Sequence, residues 1–419
     1  MHILTLTWEY PPKSVGGLAQ HVFDLSHALQ DEGHHVTIIT TGDDNLPEYE
    51  KDGNIIIHRV RPFPLVGNDF LTWVFQLNFA LLEKSIEIIR SQEKFDVLHA
   101  HDWLVAFTAR TLKFGMRIPL VATIHATEYG RNQGLHNELQ RYISDVEWWL
   151  IYEAWKVIVC SNYMKNEAEN IFQCPYDKLK IIPNGADEGN FNSLPDDFKR
   201  HKYASDEEKI VFFVGRVVHE KGIHILIEAM PKIIHHYPKV KFIIAGKGPI
   251  LEYLKSKALL LGVAEKCFFT GYIDDKMRNA FYKNASVAVF PSIYEPFGIV
   301  ALEAMAGRVP VVVSDVGGLS EIVNHGIDGL KAIRDNAGSL ADCILSILQN
   351  DELADYLVKN ASSRVKNEFS WKKIAKSTID VYENVINEAE NFVIPYLKTN
   401  IEGEHYESNN HGRWGRFKA

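Results

Sequence analysis

Two glutamates, Glu295 and Glu303, lie in the otherwise apolar stretch "SIYEPFGIVALEAMAGRVPVV" (292–312), with seven residues between them. A buried carboxylate is costly unless something pairs with it, so each acid needs a partner. If the whole stretch were helical, the two would stand about 12 Å apart along the axis. That is too far to share one scissile bond. It suits one ligand touched at two places. Two cations, Arg216 and Lys221, occur in "FVGRVVHEKG", where a strand gives way to a helix. With the helix amides they would form a phosphate clamp.

Histidines supply the second set. "DVLHAHDWL" places His99, His101 and Asp102 at the end of a strand, and "TIHATEYGR" places His125, Glu128, Tyr129 and Arg131 likewise. Imidazole titrates near neutrality and can hold or move a proton. His99 reads as a core histidine bonded to backbone. His101 lies past the strand end, where ligand-binding residues belong. Gly16 and Gly17 separate the first strand from the first helix, so backbone amides there could meet an anion. The pattern is not the G-x-G-x-x-G dinucleotide fingerprint. "IIAGKGP", with Gly246, and "FFTGYIDD", with Tyr272, are further strand–glycine turns able to bring backbone groups to a nucleobase.

The elements that must position these residues alternate from the first residue onward. Short apolar runs at 3–7, 36–40, 55–60, 96–99, 121–125, 157–160 and 180–182 read as strands. Leu18, Val22, Leu25 and Leu29 mark a helix that stops near Gly33. A polar stretch, about 190–209, reads as a linker. The pattern then restarts with strands at 210–214, 241–245, 267–269, 287–290 and 309–313. Such alternation predicts α/β architecture, with two doubly wound, mainly parallel sheets and a cleft between them. Ligands in such sheets sit at the carboxyl ends of the strands. The expected domains are 1–190 and 205–368, followed by a helical segment at 369–390 and a polar tail at 394–419.

The bulk numbers agree with two domains. The chain has 419 residues, 46% of them hydrophobic and 24% charged, with net charge −9. No long basic block is present, so nucleic acid is not expected as a partner. Cys160, Cys174, Cys267 and Cys343 form no C-x-x-C pair. Buried thiols, no metal cluster and a reducing, cytoplasmic setting are expected. No spanning helix is expected, and the aromatic segment 70–82 reads as a packing helix rather than a membrane contact. Trp148, Trp149, Tyr152 and Trp155, at helical spacing, read as core in preference to an acceptor surface.

Taken together, "GGLAQHV", "HAHDW", "GRVVHEKG", "YEPFGIVALEA" and "SDVGGLSEIV" resemble the retaining glycosyltransferases of family 4 and the wider GT-B group, including bacterial and archaeal glycogen synthases. The resemblance runs from Met1 to about Glu390. It implies two Rossmann-like domains, with a nucleotide-sugar donor on the second and an acceptor on the first. It implies that Arg216 and Lys221 hold the diphosphate, that Glu303 binds the ribose, and that Glu295 and the amides near Phe297, Gly298 and Ile299 meet the transferred sugar. It also places Gly17 against the donor phosphates and His101 near the sugar. His125, Tyr129 and Arg131 fall on the acceptor side, and Gly16, Gly246 and Tyr272 on the donor side. A helix near 369–386 would cross back to the first domain. No cofactor or metal is implied, and the chain has no D-x-D motif.

One departure stands out. The Lys-x-Gly-Gly motif usual in glycogen synthases is "KSVGG" here, so Lys13 lies one residue further off and Ser14 takes its place. The readings carried forward are an α-glucan-extending enzyme using ADP- or UDP-glucose and a family 4 transferase with a lipid, sugar phosphate or small sugar as acceptor. A non-catalytic nucleotide-sugar-binding module would show an eroded clamp, and a GT-B phosphorylase would need a pyridoxal-phosphate lysine.

Overall fold

The computed structural model describes residues 1–63, 69–91, 93–187, 191 and 198–391, with the backbone of the last helix continuing to 401. The first sheet contains β1 (His2–Leu6), β2 (His35–Thr41), β3 (Tyr49–Asp52), β4 (Ile55–Val60), β5 (Val97–His101), β6 (Leu120–Ile124), β7 (Lys156–Val159) and β8 (Leu179–Ile181), in the order 3-4-2-1-5-6-7-8. Helices α1 (Gly17–Asp31), α2 (Phe70–Arg90), α3 (Ala106–Gly115), α4 (Glu128–Asn132), α5 (Glu138–Glu153) and α6 (Asn162–Phe172) connect the strands. Every pairing is parallel except β3 with β4, which is antiparallel.

The second sheet holds β9 (Lys209–Val214), β10 (Val240–Ala245), β11 (Cys267–Gly271), β12 (Val287–Phe290), β13 (Val311–Ser314) and β14 (Leu330–Ala332), all parallel, in the order 11-10-9-12-13-14. Its helices are α7 (Ile223–His236), α8 (Leu251–Leu260), α9 (Asp275–Asn284), α10 (Ile299–Ala306), α11 (Leu319–Ile322), α12 (Ala337–Leu348) and α13 (Asp351–Glu368). The strands read as continuous apolar runs because both faces are covered. Val287 to Phe290 are all buried, for example.

Each sheet has one switch point, where successive crossovers depart to opposite sides. In the first it lies between β1 and β5, in the second between β9 and β12. Backbone there is not covered by a crossover helix, which makes it the natural ligand crevice.

The final helix, α14 (Trp371–Ile401), returns to the first sheet. Trp371, Ile374, Val381, Tyr382 and Val385 share a buried cluster with Ile3, Leu18, Val22 and Val36.

Several expectations are adjusted. β3 and β14 were not foreseen. β13 starts at Val311, not Val309, since Pro310 has no amide for the ladder. α14 continues to Ile401, past the expected start of the polar tail, because its backbone carries on in a helix. Residues 188–190, 192–197 and 402–419, which include the first part of the expected linker, lie outside the described residues. The four cysteines are free thiols. No helix among the described residues is long and apolar enough to cross a membrane.

Candidate active site

The loops after β9 and β12 are tied together. Ile293 N and Tyr294 N both approach the Glu220 carbonyl, Ile293 at 2.8 Å. Gly222 sits at φ +67, and a Cβ there would overlap the Pro291 carbonyl. Only glycine allows both the conformation and the approach. Gly317, at φ +52, lies likewise against the Glu295 carbonyl, which accepts from Gly318 N at 2.9 Å. The "VGGLSEI" turn thus cradles the loop that carries Glu295.

These constraints bring three of the expected residues together. Lys221 Nζ lies 2.6 Å from Glu295 Oε2, which also accepts from Ser292 Oγ at 3.2 Å. Arg216 pairs with Glu220 at 3.1 Å and remains partly exposed. Both cations therefore already have an acid partner, which any anion binding here must share or replace.

Glu303 is not on a continuous helix with Glu295. Residues 292–298 form a loop, and α10 begins at Ile299. Glu303 pairs through Oε1 with Arg278 of α9 at 3.3 Å, while its Oε2 is buried and without a partner. Burial raises its pKa, and Arg278 opposes that shift. One oxygen of this carboxylate thus remains to receive a hydroxyl. Arg278 was missed in the sequence because no local pattern links it to Glu303. The need to neutralise a buried acid was the available signal.

The carboxyl ends of the two sheets face each other. A Cβ on Gly17 would come within 2.8 Å of Ile299 Cδ1. Ser161 Oγ, at the start of α6, donates to the Pro296 carbonyl at 2.7 Å. Glu321 of α11 accepts from Asn162 N and Tyr163 N at 2.9 and 2.8 Å, closing the N-terminus of α6 from the opposite domain. Phe297 itself is buried beside Phe369, so only its backbone can meet a ligand. Gly246 packs against Gly215 at the end of β9, and Tyr272, 65% exposed, stands after β11 on the same rim.

On the first-domain side the expected open anion site ahead of α1 is already occupied. Glu9 Oε2 accepts from Val15 N at 2.5 Å, and burial pushes the Glu9 carboxyl up to about 7. The side of Gly16 is open. Glu9 was missed because a lone acid before a Tyr-Pro-Pro run carries no motif.

His101 is the last residue of β5 and is buried. Its Nδ1 lies 3.1 Å from His125 Nε2, and its own Nε2 has no partner. His99 is a core histidine, but it bonds to side chains rather than backbone, to Tyr382 OH and Thr123 Oγ1, each at 2.7 Å. His21 of α1 joins the group. Its Nδ1 meets Asn184 Oδ1 at 2.5 Å, and its Nε2 is buried and unpartnered. Burial holds His21, His99 and His101 well below the usual imidazole pKa, and burial with Arg131 takes His125 down to about 3. All four are neutral at physiological pH. His21 and Asn184 were hidden by separation in sequence: one sits inside a regular apolar helix, the other follows β8.

Asp102 adopts φ 60, uncommon for a non-glycine. Its Oδ1 accepts from His125 N at 2.8 Å. Asp102 and Glu295 both act electrostatically on Cys160, whose thiol burial pushes up to about 12. Tyr129 does not join the histidines. It lines a separate cavity of about 280 Å³ with Gly130, Tyr163, Glu167, Tyr294 and Arg334. Arg131 is exposed and acts on Asp102 and His125 through its charge. On α5, Trp148 and Tyr152 point outward and stack on each other, correcting the expectation that this aromatic set is core, while Trp149 and Trp155 are partly buried.

Comparison with known proteins agrees with this arrangement. Residues 15–189 match the model Glycosyltransferase Family 4, and residues 195–364 match Glycosyl transferases group 1. The chain is 42% identical over 388 residues to an uncharacterized glycosyltransferase of Methanocaldococcus jannaschii, covering 91% of this chain and 98% of that protein. It is 34% identical over 398 residues to the glycogen synthase of Mycobacterium tuberculosis, covering 91% and 94%. Among solved structures, the sucrose-phosphate synthase of Thermosynechococcus elongatus superimposes with TM-score 0.80 at 26% identity, covering 92% of this chain and 99% of that one. Two Rossmann-like domains meeting at their switch points, with these matches over nine-tenths of the sequence, define the class: the chain belongs to the family 4 (group 1) glycosyltransferases.

Proposed function

We propose that the enzyme is a retaining transferase that moves a glucosyl unit from ADP- or UDP-glucose to an α-glucan. The observation that carries this reading is the Lys221–Glu295 pair at the β9/β12 switch point, with Arg216 beside it and Gly17 and Ile299 in contact across the cleft. In the reaction the bond between the anomeric carbon and the leaving diphosphate oxygen breaks. The acceptor hydroxyl oxygen bonds to that carbon, and its proton passes to the departing diphosphate. Negative charge grows on the diphosphate, where Arg216 and Lys221 are placed to offset it. Glu303 uses its free Oε2 for a ribose hydroxyl. Glu295 and the uncapped N-terminus of α10 meet the sugar. His101 Nε2, neutral and unpartnered, takes a sugar hydroxyl. No side chain is assigned as covalent nucleophile, so the acceptor attacks from the face the diphosphate leaves. The likeness to glycogen synthase over most of the chain supports glucose and a glucan.

A second reading is a small sugar or sugar phosphate as acceptor. It is favoured by Ser14 in place of the usual lysine and by the bounded cavity with Arg334 and three tyrosines on its wall. A panel of ADP-, UDP- and GDP-sugars against glycogen, maltooligosaccharides, small sugars and sugar phosphates decides between them. Chain extension from ADP- or UDP-glucose is expected. Transfer confined to a small acceptor would select the second reading. No transfer and no donor hydrolysis with any pair would contradict both.

A further inference from the structure

We infer that His21, His101 and His125 form a binding site for a borderline divalent transition metal ion of the zinc(II) type. One ring nitrogen from each of the three lies within 4.8 Å of the other two. A tetrahedral ion bound at 2.0–2.1 Å holds its nitrogen ligands about 3.3 Å apart. His101 Nδ1 and His125 Nε2 already stand at 3.1 Å. The set therefore needs only a small inward movement of His21.

Two further observations point to a ligand at this position. His21 Nε2 is buried with no hydrogen-bond partner. An unsatisfied buried imidazole nitrogen is costly and calls for something to bind. Asn184 Oδ1 accepts from His21 Nδ1, which puts the proton on that nitrogen and leaves the Nε2 lone pair free. This is the outer-shell arrangement that orients a metal-bound histidine. His99, in ring contact with His101, is excluded as a ligand because both its nitrogens are engaged. Its bonds instead fix the wall against which His101 rests.

Three elements supply the ligands: α1, the end of β5, and the residue after β6. His101 and His125 are held by the sheet, while His21 is carried by α1. His125 is less buried than the other two and gives the ion its route from the cleft. Three neutral imidazoles suit zinc, cobalt or nickel and disfavour magnesium or calcium, which prefer oxygen. Three protein ligands leave a fourth position for water. An ion on His101 Nδ1 fixes the ring proton on Nε2, the nitrogen facing the cleft, so the site sets the tautomer of His101 independent of which donor or acceptor the enzyme uses.

The test needs no substrate. The full-length protein, stripped with a chelator and dialysed, is titrated with zinc by calorimetry and with cobalt by visible absorption. One ion per chain and the absorption of tetrahedral cobalt–nitrogen coordination are expected. His21→Gln and His125→Gln should each weaken binding by at least about tenfold, and Asn184→Ala, which leaves all three ligands in place, by roughly 10–100-fold. Changing the surface pair His235 and His236 to Gln should leave affinity unchanged. Zinc should raise the unfolding temperature of the wild type and not that of His21→Gln. Absence of stoichiometric binding, or equal affinity in the wild type, His125→Gln and Asn184→Ala, would overturn the site. Failure of the donor panel would leave this result untouched.

Discussion

The two walls of the cleft are built from opposite chemistry. On the second domain, Arg216 with Glu220, Lys221 with Glu295 and Arg278 with Glu303 form three ion pairs. On the first, four histidines are packed together and held neutral by burial. Helix starts differ in the same sense. The helices of the second domain that follow Lys221 and Glu295 at the cleft, α7 and α10, begin at Gly222 and Gly298 with no side-chain cap, whereas Glu9 closes the start of α1. Away from the cleft, α2, α5, α12 and α13 are capped by Asp69, Asn137, Asn336 and Asn350. A missing cap leaves amides for a ligand, and with glycine at the N-cap it costs only roughly a few tenths of a kcal/mol relative to a capped start. The contrast teaches that one wall is built to meet charge and the other to meet neutral polar groups; on the proposed function, the first would face the leaving diphosphate and the second the sugar hydroxyls.

Removing charge from the charged wall should have the largest effect. Lys221→Ala should lower kcat/KM by about 10²- to 10³-fold, the loss expected for one group facing a developing anion. A loss under tenfold in steady-state assays would break the contrast. Glu303→Gln keeps the side chain's shape and weakens its bond to a donor hydroxyl. A rise of roughly 10- to 100-fold in donor KM, at near-constant kcat, is expected from a charged hydrogen bond of about 1.5–3 kcal/mol. A fall in kcat alone would move Glu303 into the chemistry. Tyr272→Ala, on the donor rim, should raise donor KM by about 2- to 10-fold, the value of one ring contact.

The neutral wall should show the smallest response. A histidine whose folded pKa is depressed stays uncharged until pH falls well below 6.5. The Hε1 resonances of His101 and His125 should therefore stay fixed between about pH 8 and pH 5. Titration of either near 6.5 would mean that the wall is charged in use.

These walls were unequally legible in the sequence. Strand–loop–helix grammar located Arg216, Lys221, Glu295 and His101, since each follows an apolar run. β3 was invisible because Tyr49–Asp52 is exposed throughout and has no apolar alternation. β14 is only three residues long. Glu303 was placed on a helix, but its separation from Glu295 could not be read, because Pro296 and the left-handed Gly298 interrupt the helix. Partners distant in sequence stayed hidden: Arg278 for Glu303, Asn184 for His21, Tyr382 for His99. Each is supplied by packing of another element, and periodicity carries no trace of such pairing.

The central claim is that Glu295 stands nearest the chemistry while its neighbours hold the nucleotide. Glu295→Gln, measured for both turnover and nucleotide dissociation constant, tests it most directly. The account predicts a fall in kcat of at least about 10²-fold, with the affinity for the nucleoside diphosphate kept within about twofold. An unchanged kcat, or a loss confined to nucleotide affinity, would contradict it.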